Sequence, residues 1–150
     1  MAEDDAAAAK WWAAATDKGN ADAENNLGFL YRNGYGVTQD IKKAEEMWIK
    51  SANHGNVHAA FNLGNFYAAG EGVTQNYKEA EKWWRKAAEK GLLSAQKNYA
   101  KMLMEGKSGV VDNSAAAKWY LKAAEQGDAD AQLQIAKLYR DGLGVPQFYK

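Results

Sequence analysis

The chain has 150 residues, a formal net charge of zero and 47% hydrophobic residues, many of them alanine. The balanced charge argues against a nucleic-acid-binding protein, which needs clustered Lys and Arg, and against a polybasic membrane anchor. There is no cysteine and hence no disulfide framework, and no apolar run approaches the roughly 20 residues that span a bilayer. We therefore expect no nucleic-acid partner and no membrane insertion.

The N-terminal stretch is acidic and rich in alanine, so no signal peptide is expected in this chain. The composition favours the cytoplasm and leaves a bacterial periplasmic or secreted location open if an upstream signal was removed. The first predicted helix runs from about Ala6 to Lys18. We expect Asp4 or Asp5 to cap it, because a carboxylate accepts hydrogen bonds from the free N–H groups of a first helical turn. Gly19 is expected to end it, since glycine adopts the left-handed conformation without steric cost.

Two further helices are predicted, over roughly Ala21–Asn33 and Ile41–Asn53, separated by a Gly-Tyr-Gly-Val turn. Apolar residues at i, i+4, i+7 and i+8 define the inward face of the first of them, namely Ala23, Leu27, Leu30 and Tyr31. The inward face of the second contains Ala44, Met47, Trp48, Ser51 and Ala52. Asp40 is the expected N-cap of the second helix. Gly28 lies in a helix interior, where glycine costs about 1 kcal/mol relative to alanine, so we expect a close helix crossing there.

This pattern recurs along the chain at a spacing of about 36 residues, which indicates a repeat array. The clearest copy spans residues 55–90, and the copy after it has an altered turn between Gly106 and Asp112. We predict a single domain over residues 1–150 with eight helices. Its units are a partial repeat at 1–18 with a second helix only, complete repeats at 19–54, 55–90 and 91–126, and a partial repeat at 127–150 with a first helix only.

Three motifs of the clearest copy carry a family resemblance. They are Leu63-Gly64-x-x-Tyr67, Gly70-x-Gly72-Val73, and Ala80-x-x-Trp83 followed by Ala87-Ala88. The set resembles the Sel-1-like repeat family, a branch of the tetratricopeptide-like α-solenoids. The resemblance implies an all-α fold, a right-handed α/α superhelix of about four helix-turn-helix repeats. It also implies a protein–protein interaction scaffold or adaptor, often bacterial, without enzymatic activity. The family includes toxin-neutralising proteins, so an immunity-type binding function stays an alternative.

Helical spacing alone predicts a partner-binding groove. In each first helix, one stripe at i, i+4 and i+7 avoids the core positions and would line the inner surface of a solenoid. The stripes are Asn25, Phe29 and Arg32, then Phe61, Asn65 and Ala68, then Lys97, Lys101 and Met104, and finally Leu133, Lys137 and Arg140. They predict a groove for an extended or helical protein or peptide, apolar at its N-terminal end and anion-seeking at its C-terminal end. Alternatively, the lysines form a solvated face and the phenylalanines pack between helices.

Other apparent motifs do not predict chemistry. His54 and His58 are four residues apart, but Gly55 between them should end a helix, so they are expected on different helices with no third metal ligand. The Gly-x-Gly turns lack the Lys-Ser/Thr that follows a phosphate-binding loop. No nucleophile–base pair or converging carboxylate pair is evident. We therefore expect no enzyme, no metal and no cofactor.

Two features remain outside the repeat pattern. The pairs Trp11-Trp12 and Trp83-Trp84 are expected to place one ring inward and one partly outward. In addition, the chain starts with a second helix and stops after a first helix, so both ends should expose partly apolar helix faces. Either the chain is a fragment of a longer array, or another chain covers these faces. In the second case, residues 133–140 of one copy would meet residues 8–15 of the next, and the chain would be a self-assembling structural module.

Overall fold

The computed structural model describes the backbone of residues 2–144 and the side chains of residues 4–144. Over this range the chain is all helical apart from its turns, with eight helices and no strand, as predicted. The helices are α1 (Ala2–Thr16), α2 (Ala21–Asn33), α3 (Ile41–Asn53), α4 (Val57–Ala69), α5 (Tyr77–Glu89), α6 (Leu93–Glu105), α7 (Asn113–Glu125) and α8 (Ala129–Asp141). The even-numbered helices are the first helices of the repeats, and the odd-numbered ones are the second helices.

The predicted bounds of α2 and α3 are confirmed, whereas the predicted start of α1 is wrong. This helix begins at Ala2, so Asp4 and Asp5 lie inside its first turns and do not cap it. Alanine is the strongest helix former, and acidic side chains are favoured near the positive N-terminal end of a helix. The helix ends at Thr16, and Gly19 adopts the left-handed conformation in the turn that follows, at φ 73°.

Caps at the predicted repeat spacing define the start of most first helices. Asn20, Asn56 and Asp128 each accept a hydrogen bond from the backbone N–H three residues further on, at 2.8–3.0 Å. Leu92 occupies the same position before α6 with the same backbone conformation but without a side-chain cap. These local hydrogen bonds satisfy N–H groups that have no partner inside the helix, which explains why the helix starts recur so regularly.

The chain divides into two compact units, the N-terminal unit Met1–Thr74 and the C-terminal unit Gln75–Lys150. In the N-terminal unit, α2 packs on α3, and it also contacts α1. In the C-terminal unit, α6 packs on α7 and contacts α5, while α8 packs on α7. Each first helix thus contacts the second helix that precedes it. The interpretation of residues 1–150 as one domain stays a prediction.

The predicted close crossing at Gly28 is confirmed. A Cβ atom at this position would lie 2.5 Å from the indole nitrogen of Trp48, inside van der Waals contact. The Trp48 ring is 1% exposed, donates its N–H to the carbonyl of Asn25 at 3.2 Å, and packs edge-on against Phe29 and Phe66. The missing side chain of Gly28 therefore makes the space for the largest residue of the second helix.

The tryptophan pairs behave differently from each other. Trp11 is 71% exposed and Trp12 is half-buried against the core of the N-terminal unit, as predicted. The prediction for Trp83 and Trp84 is wrong, because both rings are buried. The ammonium groups of two flanking lysines, Lys82 and Lys86, lie 5.0 and 4.7 Å from the centre of the Trp83 ring. Long lysine stems can cover an aromatic ring while their charged ends stay in water.

The turn between α6 and α7 differs from the other turns, as its sequence predicted. In the earlier turns, glycines two positions apart are both left-handed, as at Gly70 and Gly72. Here Gly106 keeps its left-handed conformation, but the second positive φ occurs at Gly109. The following Val110 and Val111 side chains are exposed, so this turn presents two successive apolar side chains to solvent.

Candidate partner-binding surfaces

The predicted groove residues of the N-terminal unit lie on α2 and α4. Asn25 is half-buried, and its side-chain oxygen accepts a hydrogen bond from Asn62 of α4 at 3.3 Å. Phe29 is 37% exposed, and its ring meets that of Trp48 edge-on with centroids 5.4 Å apart. Phe61 is half-buried on α4. Asn25 therefore links two first helices, while Phe29 presents an aromatic ring to solvent on a rigid base.

Polar residues border this surface. Arg32 forms an ion pair with Glu71, in the turn after α4, with a nitrogen–oxygen distance of 3.0 Å. The Arg32 carbonyl also accepts a hydrogen bond from the Gln39 side chain at 2.8 Å. Asn65 is exposed. Because Arg32 and Glu71 are both partly or largely exposed, their ion pair adds little stability, and it stays available for exchange with a ligand.

Lys97, in the C-terminal unit, already has two carboxylate partners. Its ammonium group lies 3.1 Å from both Asp128 and Asp130, at the start of α8. Hydrogen bonds to Asp128 and then to Asp130 raise the pKa of Lys97 above the ordinary lysine value. The backbone N–H of Ala131, followed by Lys97, lowers the pKa of Asp128. Lys97 therefore connects α6 to the N-terminus of α8.

The other basic residues of the predicted stripe have weaker or more local partners. Lys101 is exposed and lies 4.0 Å from Glu105, one turn along α6. Arg140 donates two hydrogen bonds to its neighbour Asp141, at 2.7 and 3.0 Å, and Arg140 thereby lowers the pKa of Asp141. Lys137 is exposed and has no ion pair within the described part of the chain. Carboxylates thus compensate most of this basic cluster, which weakens the argument for an anion-seeking surface.

Only the middle position of the predicted stripe is exposed on all four first helices. That position holds Phe29, Asn65, Lys101 and Lys137. The outer two positions are half-buried on α2, α4 and α6 and exposed only on α8, at Leu133 and Arg140. Met104, for example, packs against the buried cluster of the C-terminal unit. The contacts of Asn25 and Lys97 show the reason, since an outer-position side chain reaches towards the next first helix.

A row of amide side chains lies outside the stripe that the sequence predicted. Three residues before the exposed middle position, every first helix carries a half-buried amide, namely Asn26, Asn62, Asn98 and Gln134. An amide offers a donor and an acceptor, the same groups that a peptide bond presents. The recurrence of this residue type at the repeat spacing was the signal that could have found it.

The two histidines lie apart, as predicted. His54 caps the C-terminus of α3, and His58 lies in α4. The Nδ1 atom of His54 is 2.8 Å from a carboxylate oxygen of the buried Glu24. Among the described residues, no group of three or more His, Cys, Asp or Glu could hold a metal ion. None of the described helices is long and apolar enough to cross a membrane.

Helix pairs that recur with an Ala-x-x-Trp second helix define an α-solenoid repeat protein. The chain belongs to the Sel1 repeat family, whose model matches residues 1–20, 21–56, 57–92, 93–128 and 129–147. Sel1 repeat solenoids commonly mediate protein–protein interaction, and the family is generally a non-catalytic scaffold family. No curated protein is a significant match.

Two solved bacterial structures are similar to this chain. One is a protective antigen present in uropathogenic Escherichia coli strains and displaying an SLR fold, with 34% identity and a TM-score of 0.86 over 96% of this chain and 31% of that one. The other is a Sel1 repeat protein from Oxalobacter formigenes, with 36% identity and a TM-score of 0.80 over 93% of this chain and 60% of that one. The chain thus spans less than two thirds of either protein. These similarities confirm the predicted fold class.

Proposed function

We propose that the chain is a non-enzymatic scaffold that binds a protein or peptide partner through the exposed faces of its first helices. The observation that carries this proposal is Phe29. The equivalent position on the other first helices holds Asn65, Lys101 or Lys137, all exposed. Phe29 therefore places an aromatic ring at a position that is polar in the other repeats.

The surroundings of Phe29 suit it to anchor a ligand. Its edge-on contact with the buried Trp48 restricts the ring before any partner arrives. A pre-ordered aromatic side chain loses little conformational freedom on binding. Aromatic residues in such positions contribute much of the binding free energy of many interfaces. We expect an apolar side chain of the partner to pack against this ring.

The amide row supplies a second element of recognition. Asn26 lies one helical turn before Phe29, and the side chain of Asn62 on α4 is held by its hydrogen bond to Asn25. Amides in this arrangement can pair with the N–H and C=O groups of an extended main chain. The amide row therefore supports an extended peptide segment as the ligand. Its backbone would form hydrogen bonds with the amides, and one of its apolar side chains would pack on Phe29.

The charge distribution of the C-terminal unit indicates how acidic the partner can be. Lys97 and Arg140 have carboxylate partners, and Lys101 lies near one. A polyanionic ligand would have to displace these carboxylates, so the surface favours a partner with isolated acidic residues. Lys137 is exposed and has no ion pair among the described residues, so it is free of this competition.

Selection from a displayed library of random peptides tests the proposal without knowledge of the natural partner. Peptides enriched on the wild-type chain would then be titrated against Phe29→Ala by fluorescence anisotropy. We expect the dissociation constant to rise by about tenfold or more, which corresponds to about 1.4 kcal/mol. The matched control is Leu121→Ala on the second helix α7, because Leu121 is 40% exposed and also apolar.

The control should change the dissociation constant by less than about twofold, within the usual range for a surface residue outside an interface. Circular dichroism would verify that both variants are folded. Equal affinity of the peptides for wild type and Phe29→Ala would refute the assignment of the anchor. Failure to enrich any peptide would count against the wider proposal of a peptide-binding face.

A further inference from the structure

Trp83 on α5 has a buried indole N–H group without a hydrogen-bond partner. The residue is 4% exposed, and its Nε1 atom is the only buried side-chain nitrogen or oxygen of the described residues that lacks a partner. By contrast, Trp48 on α3 donates its indole N–H to the carbonyl of Asn25 at 3.2 Å. A buried donor without an acceptor costs free energy, and such groups are rare in folded proteins. Trp83 therefore offers a hydrogen bond that the chain itself does not use.

Two cations lie over the same ring. The ammonium groups of Lys82 and Lys86 are 5.0 and 4.7 Å from the centre of the Trp83 ring, and both lysines are exposed. They therefore form the part of the ring's cover that is nearest to solvent. A cation–π contact at an exposed site is weak, and exposed side chains change rotamer rapidly. The two lysines can therefore move off the ring while α5 stays in place.

The charges around this ring favour a ligand with a single negative charge. Lys86 has no ion pair among the described residues, and Lys82 lies 3.8 Å from one carboxylate, that of Glu79. Two positive charges and one negative charge leave one net positive charge, which matches a carboxylate better than a phosphate group of about −1.5 to −2. A carboxylate could accept from the indole N–H and pair with the lysines at the same time. Such charge-assisted hydrogen bonds are stronger than neutral ones.

A second contact between a lysine and a tryptophan lies one repeat further along the C-terminal unit. The ammonium group of Lys122 on α7 is 4.7 Å from the centre of the Trp119 ring, and Trp119 is the equivalent of Trp83 in the repeat pattern. Lys122 follows its tryptophan by three residues, as Lys86 does, and has no ion pair among the described residues. Both α5 and α7 contact α6. This recurrence favours a segment with several acidic residues over a single small acid.

We propose that the second helices of the C-terminal unit bind an acidic segment of a partner protein, with one carboxylate seated on Trp83. In the bound form, Lys82 and Lys86 leave the ring and pair with this carboxylate, and the indole N–H donates a hydrogen bond to it. The ligand competes with Glu79 for Lys82. This site is additional to the proposed ligand surface of the first helices, because it lies on other helices and recognises charge instead of an apolar side chain.

Nuclear magnetic resonance of the indole N–H groups tests this proposal on the 150-residue chain. Trp83→Phe identifies the Trp83 signal among those of the six tryptophans. The probe is a peptide of glutamate residues with blocked ends, and the same peptide made of glutamine is the neutral control. We expect the glutamate peptide to shift the Trp83 proton signal to lower field, because a hydrogen bond to a charged acceptor is short and strong. The Trp48 signal should stay in place, since its N–H is already bound to Asn25.

Substitution of the lysines tests the charged part of the site. Lys82→Gln combined with Lys86→Gln should raise the dissociation constant of the glutamate peptide by about tenfold, as expected for the loss of two exposed ion pairs. The matched control combines Lys42→Gln with Lys50→Gln on α3. It makes the same change in net charge on a second helix where Met47 occupies the place of Trp83, so it should leave the dissociation constant within about twofold of the wild type.

Two further variants separate this site from its alternatives. Glu79→Gln should lower the dissociation constant, because it removes the competing carboxylate. If it shifts the Trp83 signal without any peptide present, Glu79 is itself the acceptor and the proposal is wrong. Phe29→Ala should bind the glutamate peptide like the wild type, and loss of binding would place the peptide on the first-helix surface instead.

The titration itself has clear contrary outcomes. A Trp83 signal that stays in place with the glutamate peptide, or moves equally with the glutamine peptide, would show that the indole does not bind a carboxylate. A larger shift with inorganic phosphate at the same concentration would assign the site to phosphate and overturn the proposal. If circular dichroism shows that Trp83→Phe is unfolded, resonance assignment of the wild type identifies the signal, and the lysine variants still test the site.

Discussion

Gly28→Ala would test whether the missing side chain determines the distance between α2 and α3. Alanine is the better helix former by about 1 kcal/mol, so local propensity alone predicts a more stable protein. The structure predicts the opposite, because the new Cβ atom would lie 2.5 Å from Nε1 and 2.6 Å from Cδ1 of Trp48. The ring is 1% exposed and packs between Phe29 and Phe66, so it has little room to move.

The expected magnitude follows from these opposing contributions. Overpacking of a tight interior costs about 1–3 kcal/mol, and displacement of the Trp48 ring would weaken its hydrogen bond to Asn25, worth about 1 kcal/mol. After the gain in helix propensity, we expect Gly28→Ala to lower the free energy of unfolding by about 1–3 kcal/mol. For a chain of this length, the midpoint of thermal unfolding should fall by about 2–12 °C.

The third repeat suggests a compensating substitution. There Ala100 takes the place of Gly28 and Tyr120 that of Trp48, and both belong to the same buried cluster. Trp48→Tyr alone should destabilise by about 1–3 kcal/mol through lost contacts and the lost indole hydrogen bond. Combined with Gly28→Ala, it should cost at least about 1 kcal/mol less than the sum of the single changes, because the smaller ring makes room for the methyl group.

Urea unfolding followed by circular dichroism would measure all four members of this cycle. Ala136→Gly is the matched control, since it makes the reverse change at an equivalent position that is exposed and should cost about 1 kcal/mol by propensity alone. A Gly28→Ala protein at least as stable as the wild type, with an unchanged urea dependence, would refute the reasoning. If the losses in unfolding free energy of the two single variants simply add in the double variant, Trp48 does not contact the new methyl group.

Two further predictions concern the C-terminal unit. Burial raises the pKa of Tyr120 to about 12, so the folded chain keeps this proton where the unfolded chain, with a tyrosine pKa of about 10, releases it. The free energy of unfolding should therefore fall as pH rises from about 10 to about 12, and Tyr120→Phe should reduce this slope; an unchanged slope would contradict the assignment. Asp112 caps α7 by accepting from the N–H of Ala115 at 2.9 Å, and Asp112→Ala should cost about 1 kcal/mol in urea unfolding. Asp112→Asn is its control, because Asn76 caps α5 in the same way, and equal losses in both variants would rule out the cap as the cause.

Helices were predictable from the sequence wherever their limits depend on neighbouring residues. Asn20 and Asp40 each accept a hydrogen bond from an N–H three residues later, so the positions of these caps are visible in the sequence. The start of α1 was predicted wrongly because alanine-rich sequence continues the helix through two acidic residues that resemble caps. The burial of both Trp83 and Trp84 was also missed, since the period of one helix does not show how many sides of it are packed.

The candidate surface was also predicted only in part from the sequence. The sequence predicted a stripe on each first helix that avoids the core, with the large apolar residues Phe29 and Phe61 among its members, but it did not show that Phe61 is half-buried while Phe29 is exposed. It did not show that Lys97 reaches two aspartates at the start of α8. That contact joins residues about one repeat apart, and its formation depends on how two helices are placed in space. The amide row recurs in the sequence at the repeat spacing, but each amide lies one residue after the first position of the predicted stripe.

The sequence by itself determined the repeat, its family and most helix limits, because spacing, caps and turn glycines act within a few residues of the chain. Only the tertiary structure decided which residues of the predicted stripe are exposed and which charged side chains already have a partner. These properties depend on contacts between side chains of different helices. The pattern along one helix does not contain the distances between helices.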